Sequence, residues 1–405
     1  MPLFFYTFAF KSIVMKTHRT ALWLFSILAV LAFLPMVQEH LNWPRVKALA
    51  GVHEEVPFPQ LTLASCRSGA YQRELENYLQ YHYGYRPNTL RIYNQYLWDF
   101  YKKTYVKYSI VEGKEGWLYE PWFVEDYYHG GTYSEHKDSL TLARDLNREA
   151  LLIYHLQNVL EQHGITLFVC MAPGKDLVYS EYLPENDEPE RAVEFVARDY
   201  FEERFNQLGV NHINMEQWFM QMKDTVDFLL FPQKGTHWSN IAAVYAADSI
   251  FHYLEEKQGI RMNQLVIGEP FVGPYKKPDY DLEELYNLYW PLKKLPQHYV
   301  DVSVSPVVGA VKPKLITVGD SFYWNICRQI PMDSLFAEYP YWYYNSTIYY
   351  DDNHNTTEEL DLASEILSAD AVMLIYSSVQ LYKMSNGFCK KALIALGHEE
   401  LLGSF

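Results

Sequence analysis

Two short blocks of this chain hold the residues suited to covalent chemistry. Ser321 lies in Gly319-Asp320-Ser321-Phe322, directly after the apolar run Leu315 to Val318, and His237 lies earlier in Gly235-Thr236-His237-Trp238-Ser239. A serine hydroxyl is a weak nucleophile until a base within hydrogen-bond reach takes its proton, and histidine titrates in the range that suits it to that task. The chemistry such a pair can perform is acyl transfer through serine. In the order strand, Gly, Asp, Ser, the glycine permits a tight exit from a sheet, and backbone N–H groups at the head of the next segment can hold a developing oxyanion. Taken singly, each block has a plainer reading: Asp320 or Ser321 caps a helix, and a lone histidine is a structural residue. Together they point to chemistry.

Both blocks need elements to present them. Beyond Lys107 the pattern alternates between short apolar runs and helical spacing. The predicted strands are Ile165 to Met171, Phe228 to Phe231, Leu315 to Val318, Thr347 to Tyr350 and Ala371 to Tyr376. Predicted helices lie between them at Ser139 to His163, Glu190 to Gln207, Asn240 to Glu256 and Thr357 to Leu367. This alternation implies an α/β fold of three layers, a parallel sheet with helices on both faces, and such sheets place ligands at the carboxyl ends of their strands. Ser321 follows a predicted strand by three residues, and His237 follows the one predicted near Phe231.

Upstream, Ala21 to Val37 is a run of seventeen uncharged residues preceded by Lys16, His18 and Arg19. Crossing a bilayer takes roughly 17 to 25 apolar residues. The positive flank places the N-terminus in the cytoplasm and the rest across the membrane. No small-x-small site closely follows the run, which favours an uncleaved anchor over a signal peptide. The fourteen residues before Met15 match no targeting pattern, so Met15 is a second candidate start. Residues 38 to 68, with Pro44, Pro57 and Pro59, read as an extended tether. Tyr71 to Tyr83 and Asn88 to Lys103 read as a helical hairpin broken at Gly84-Tyr85-Arg86-Pro87. The expected organisation is a cytoplasmic stretch at 1–20, a transmembrane anchor at 21–37, a tether and helical region at 38–106, and the α/β domain at 107–405.

A formal net charge of −16 excludes nucleic acid as a partner, since a phosphate backbone requires clustered Lys and Arg. The 35 Tyr, 22 Phe and 10 Trp serve either as core or as faces for sugar rings. Four widely spaced cysteines, Cys66, Cys170, Cys327 and Cys389, form neither a zinc pattern nor a dense disulfide framework, leaving room for one or two bridges. No HxH or HExxH spacing occurs, Gly174-Lys175 lacks a phosphate-cradling glycine pattern, and Asp351 to Asn355 reads as a solvated turn. No cofactor and no metal is called for.

The blocks Thr236-His237-Trp238-Ser239 and Val318-Gly319-Asp320-Ser321-Phe322, with the histidine block first, resemble the SGNH-hydrolase-like domain of the alginate O-acetyltransferase family. Gly113 to Tyr119, Pro173 to Pro184 and the single N-terminal membrane segment agree with the family, and with no stretch left over for a C-terminal carbohydrate-binding module the chain looks more like its anchored single-domain members. The resemblance implies an SGNH or flavodoxin-like sheet, Ser321 as nucleophile, His237 as base, and the Ser321 N–H in the oxyanion hole. It further implies an exported or cell-envelope polysaccharide as acceptor, a membrane-bound O-acyltransferase as donor partner, and a single-pass inner-membrane protein with its catalytic domain in the periplasm.

Two positions depart from the family pattern. An aspartate belongs two residues before the histidine, and that position is Gly235. A Glu-Arg pair follows the family's last core strand, where this chain reads Tyr376-Ser377-Ser378-Val379-Gln380. Three outcomes stay open: another carboxylate substitutes, with Asp227 and Asp224 nearest upstream; Ser321 and His237 act as a slow dyad; or the protein is a catalytically degenerate relative that binds glycan or scaffolds a polysaccharide modification or export complex. The candidate catalytic residues are Ser321, His237, Asp320 and Asp227.

Overall fold

A computed structural model of the chain describes residues 3–51, 56–103, 109–130, 139–185, 196–293 and 295–403. The chain divides into two compact units, one of Met1–Tyr105 with Glu284–Pro291, the other of Val106–Glu283 with Leu292–Phe405. The expected boundary at 106/107 falls outside the described residues.

The first unit is helical. Helix α1 (Leu3–Leu41) contains one stretch long and apolar enough to cross a membrane, Thr20–Leu41, with Trp23, Phe25, Leu28 and Phe33 exposed. The two helices predicted in this region form as α2 (Ala70–Tyr81) and α3 (Arg86–Tyr101), and Pro87 sits in the first turn of α3, where a missing N–H costs nothing. The expected tether is not free along its whole length. Buried Arg91 on α3 donates to the Lys47 and Ala48 carbonyls at 2.8 and 2.7 Å. A late segment joins this unit: the Asn94 amide donates to the Tyr286 carbonyl, the Gln95 side chain accepts from Trp290 N, and Asn287 both donates to and accepts from Ala50.

The second unit is built on a six-stranded sheet of β1 (Thr166–Ala172), β2 (His212–Asn214), β3 (Leu315–Gly319), β4 (Tyr341–Tyr343), β5 (Thr347–Tyr349) and β6 (Ala371–Ser377), in the order β5-β4-β3-β6-β1-β2. All pairs are parallel except β4 with β5, so the run near Thr347 is an antiparallel edge. Helices relevant to the site and core are α4 (Ser139–Gln162), α5 (Lys175–Val178), α6 (Ala197–Leu208), α7 (Met215–Lys223), α8 (Asn240–Gln258), α9 (Asp281–Leu285), α10 (Tyr323–Gln329) and α11 (Phe388–Ala395). The predicted helix from Glu190 begins at Ala197; residues 190–195 lie outside the described set.

Side-chain alternation explains the layers. In β6, Ala371, Met373 and Ile375 join a core with Phe168 and Cys170 of β1 and residues of α7, α8 and α10. Val372, Leu374 and Tyr376 point the other way, into a core with Leu167 and Val169, Ile316 and Val318, and residues of α4, α6 and α11. A strand apolar on both faces must be covered on both, which is why the sheet is sandwiched between helices.

Phe228 to Phe231 is not a strand. Leu230 N–H donates to the Tyr179 hydroxyl and Leu230 C=O accepts from Ser239 N–H, so side-chain and loop partners satisfy this backbone where a ladder was expected. All four cysteines are free thiols, which removes the expected option of bridges.

Candidate active site

Ser321 leaves the sheet two residues after β3. Gly319 lies so close to β6 that an added Cβ would fall on the Ile375 carbonyl oxygen, so only glycine permits this exit. Buried Asp320 then fastens the turn: its Oδ1 accepts from Phe322 N at 3.0 Å, and its Oδ2 accepts from Ser377 N and Ser377 Oγ, each at 2.7 Å. Burial pushes the Asp320 pKa up, with these hydrogen bonds and the nearby His237 opposing. Asp320 is therefore a brace for the serine turn, and its carboxylate is engaged by Ser377 and Phe322.

The histidine block is tied to the serine block at three points. Trp238 Nε1–H donates to the Phe322 carbonyl at 3.1 Å, the Asn325 amide donates to the Trp238 carbonyl at 2.8 Å, and the Phe322 ring lies 5.1 Å from the His237 ring. Ser239 caps α8, its Oγ accepting from Ala242 N. His237 thus emerges from a braced loop before a helix, and its Nε2 stands 2.8 Å from Ser321 Oγ.

The carboxylate behind His237 is Asp281. Asp281 Oδ2 lies 2.6 Å from His237 Nδ1, and Asp281 Oδ1 accepts from Thr236 N at 2.8 Å. A carboxylate only accepts, so Nδ1 carries the proton and Nε2 is left as acceptor for the serine hydroxyl. Asp281 is held by the turn before α9: buried Asp279 accepts from the Asn240 amide at 3.0 Å and from the Tyr299 hydroxyl, while Asp281 N–H donates to the Pro278 carbonyl. The expected substitutes are elsewhere. Asp227 and Asp224 are exposed in the turn after α7. Nothing near His237 in sequence pointed to position 281, 44 residues on.

Gly235 is crowded rather than empty. A Cβ there would fall on the Pro278 carbonyl oxygen and within 2.8 Å of Pro232 Cγ. The space that a side chain at 235 would need is filled by the turn that delivers Asp281. Glycine at 235 leaves room for that turn.

With side-chain exposures of 17% and 25%, His237 and Asp281 are shielded yet open at one side. Desolvation alone would depress the His237 pKa, but the Asp281 hydrogen bond and charge, helped by Glu120 and Asp320, outweigh it and raise the value above that of ordinary histidine. Glu120, whose own pKa burial pushes up, accepts from Trp122 Nε1 at 3.0 Å. Asp351 closes its own turn, accepting from Asn353 N and pairing with His354 Nδ1 at 3.0 Å.

A sequence model of the SGNH hydrolase-like domain of the acetyltransferase AlgX family matches residues 110–322, more than half of the chain and a span containing His237, Asp281 and Ser321. The chain belongs to this family. No curated protein matches it significantly. Among solved structures it is similar to the O-acetyltransferase domain of Pseudomonas putida AlgJ, at 18% identity over 70% of this chain and 99% of that one, TM-score 0.45. It is similar to Pseudomonas aeruginosa AlgX at 13% identity over 72% and 69% of the two chains, TM-score 0.44. Bacillus cereus PatB1 aligns at 13% identity over 67% and 96%, TM-score 0.40. This AlgX-family domain thus carries a hydrogen-bonded Ser-His-Asp line whose acid lies after the histidine.

The raised His237 pKa has a measurable sign. Only neutral imidazole accepts the serine proton, and a raised pKa keeps His237 protonated to higher pH. The acid limb of a Ser321 acetylation profile is expected above the ordinary histidine value of about 6.5. Asp281→Asn removes the charge that raises it and moves the limb down; a limb unchanged by that substitution would contradict the assignment.

Proposed function

We propose that this protein is an O-acetyltransferase that works through an acetyl-Ser321 enzyme, with a cell-envelope or exported polysaccharide as acceptor. The observation that carries the reading is the continuous line Asp281–His237–Ser321, at 2.6 and 2.8 Å, in a chain of the AlgX family. A relative that only binds glycan has no need of a carboxylate on one imidazole nitrogen and a serine on the other.

In the first half-reaction Ser321 Oγ attacks the acetyl carbonyl while His237 Nε2 takes its proton, and the imidazolium returns that proton to the departing alcohol of the donor. In the second, His237 takes a proton from a sugar hydroxyl, which attacks acetyl-Ser321 and releases Ser321 by the reverse path. The Ser321 N–H serves the oxyanion; the Phe322 N–H is already spent on Asp320. The apolar stretch Thr20–Leu41, with Lys16 and Arg19 before it, anchors the chain and sends the catalytic unit across the membrane, where a membrane-bound O-acyltransferase would supply acetyl groups.

The test is intact mass spectrometry of the full chain in detergent after exposure to an activated acetyl ester, beside Ser321→Ala. One added acetyl group, absent from the variant and lost faster with a polysaccharide acceptor than with water alone, is the expected result. An adduct that survives the substitution, or none in either protein, would overturn the reading.

A further inference from the structure

Four backbone carbonyl oxygens converge on one buried side chain. Lys175, at the start of α5, is fully buried. Its Nζ lies 2.7 Å from the Leu118 oxygen, 2.8 Å from Pro232, 3.1 Å from Gln233 and 2.7 Å from Gly235. The Trp117 and Tyr119 rings each present a face to it, with centroids at 5.1 Å. Carbonyl oxygens and aromatic faces both offer negative potential, and a neutral amine's lone pair would point at one of them. The surroundings select the ammonium. Burial, joined by the nearby Lys234 charge, opposes this and brings the lysine's pKa well below its usual value, while the charges of Asp281 and Glu120 offset part of that loss. A fully buried cation without a carboxylate in contact is costly enough to call for an explanation.

The explanation lies in one peptide group. The Gly235 carbonyl accepts from Lys175, and the N–H of the same peptide, on Thr236, donates to Asp281 Oδ1. Asp281 Oδ2 then meets His237 Nδ1, and His237 Nε2 meets Ser321 Oγ. An unbroken hydrogen-bonded line runs from the buried ammonium to the serine. Successive members of such a line polarise one another. Lys175 also gathers the carbonyls at 232, 233 and 235, which stiffens the loop entering His237, and it pins that loop to the Leu118 segment.

We propose that Lys175 is a positioning residue, a built-in cation whose hold on the 232–235 loop and on the 235–236 peptide fixes Asp281 and His237 in register behind Ser321. This rests on the catalytic reading of that line. Lys175 touches neither the reacting hydroxyl nor the imidazole; it acts through the peptide between them.

The test uses the full chain in detergent. Lys175→Met keeps the volume and removes the charge; acetylation of Ser321 is expected to slow about 100-fold, the usual consequence of a misplaced catalytic group. Lys175→Ala leaves a cavity with the shape of n-propylammonium, and that cation, added in solution, is expected to restore most of the loss where uncharged n-propanol does not. A folded Lys175→Met protein with the wild-type rate, or an alanine variant helped equally by propanol, overturns the proposal.

Two spectroscopic readouts separate this from the catalytic reading. The downfield His237 Nδ1–H proton resonance is expected in the wild type and lost in Lys175→Met, whether or not Ser321 takes up acetyl; its persistence in the variant refutes the positioning role. If neither variant folds, ¹⁵N-lysine labelling of the wild type decides: a solvent-protected ammonium signal at neutral pH is expected, and its absence sinks the proposal.

Discussion

Asp281→Ala is expected to slow acetylation of Ser321 by about 10⁴-fold, the cost of removing the acid from a serine-histidine-acid line, equivalent to more than about 5 kcal/mol of transition-state stabilisation. The reason is positional and electrostatic at once. Asp281 Oδ2 sits 2.6 Å from Nδ1 and fixes the tautomer that leaves Nε2 free for Ser321. In the proposed reaction its charge also stabilises the imidazolium, as its raising of the His237 pKa indicates. Single-turnover mass spectrometry across time measures the effect directly. The control is Asp227→Asn: an exposed residue away from such features changes energies by under about 0.5 kcal/mol, so its rate should stay within about twofold of wild type. If Asp227→Asn were the damaging change and Asp281→Ala the harmless one, Asp281 would not be the partner of His237 in the reaction.

Gly235→Asp is expected to destroy activity where a comparison of motifs would have it restore or enhance it. The family pattern places aspartate at this position, so the substitution looks like a repair. Its Cβ would fall on the Pro278 carbonyl oxygen and against Pro232 Cγ. The first contact displaces the turn that carries Asp281, and the second displaces the loop that Lys175 holds. Overpacking of this kind costs about 1–3 kcal/mol of stability. Acetylation should fall at least about 100-fold, because both the histidine and its acid lose their places. Gly235→Ala, which introduces the same Cβ without a new charge, should fall in the same direction. A thermal melt and the acetyl-adduct assay on the two variants check both halves; a faster Gly235→Asp enzyme would show that position 281 is not the working acid.

Much of the site is legible in the amino-acid sequence. Ser321 and His237 stand out because the blocks around them are dense with residues that do local work: Gly319 for a close approach, Asp320 for a turn, Ser239 for a cap. Local work leaves a local signature. Trp238 and Phe322 belong to those blocks for a reason only the structure supplies, since their mutual hydrogen bond joins two segments 84 residues apart. The central strands were equally plain. Continuous apolar runs such as Ala371 to Tyr376 must be covered on both faces, and that requirement implies the three layers.

Phe228 to Phe231 misled because a short apolar run carries no record of where its backbone hydrogen bonds go. Here they go to Tyr179 and Ser239. The two short strands His212–Asn214 and Tyr341–Tyr343 were missed for the complementary reason: three residues make too little pattern to register.

By itself the amino-acid sequence determined the family, the layered α/β class, the apolar N-terminal stretch, and a serine with a histidine ready to serve it. Each of these rests on residues that are neighbours along the chain, or on periodicities that a chain displays openly. The tertiary structure alone decided which carboxylate meets the histidine, why Gly235 must stay a glycine, and where the Lys175 ammonium is spent. Those are contacts between segments 43 to 60 residues apart, set by how turns and helices pack against the sheet. A carboxylate can reach an imidazole from any loop the fold brings near, so the position of the acid is a property of the packing and leaves no fixed spacing in the sequence.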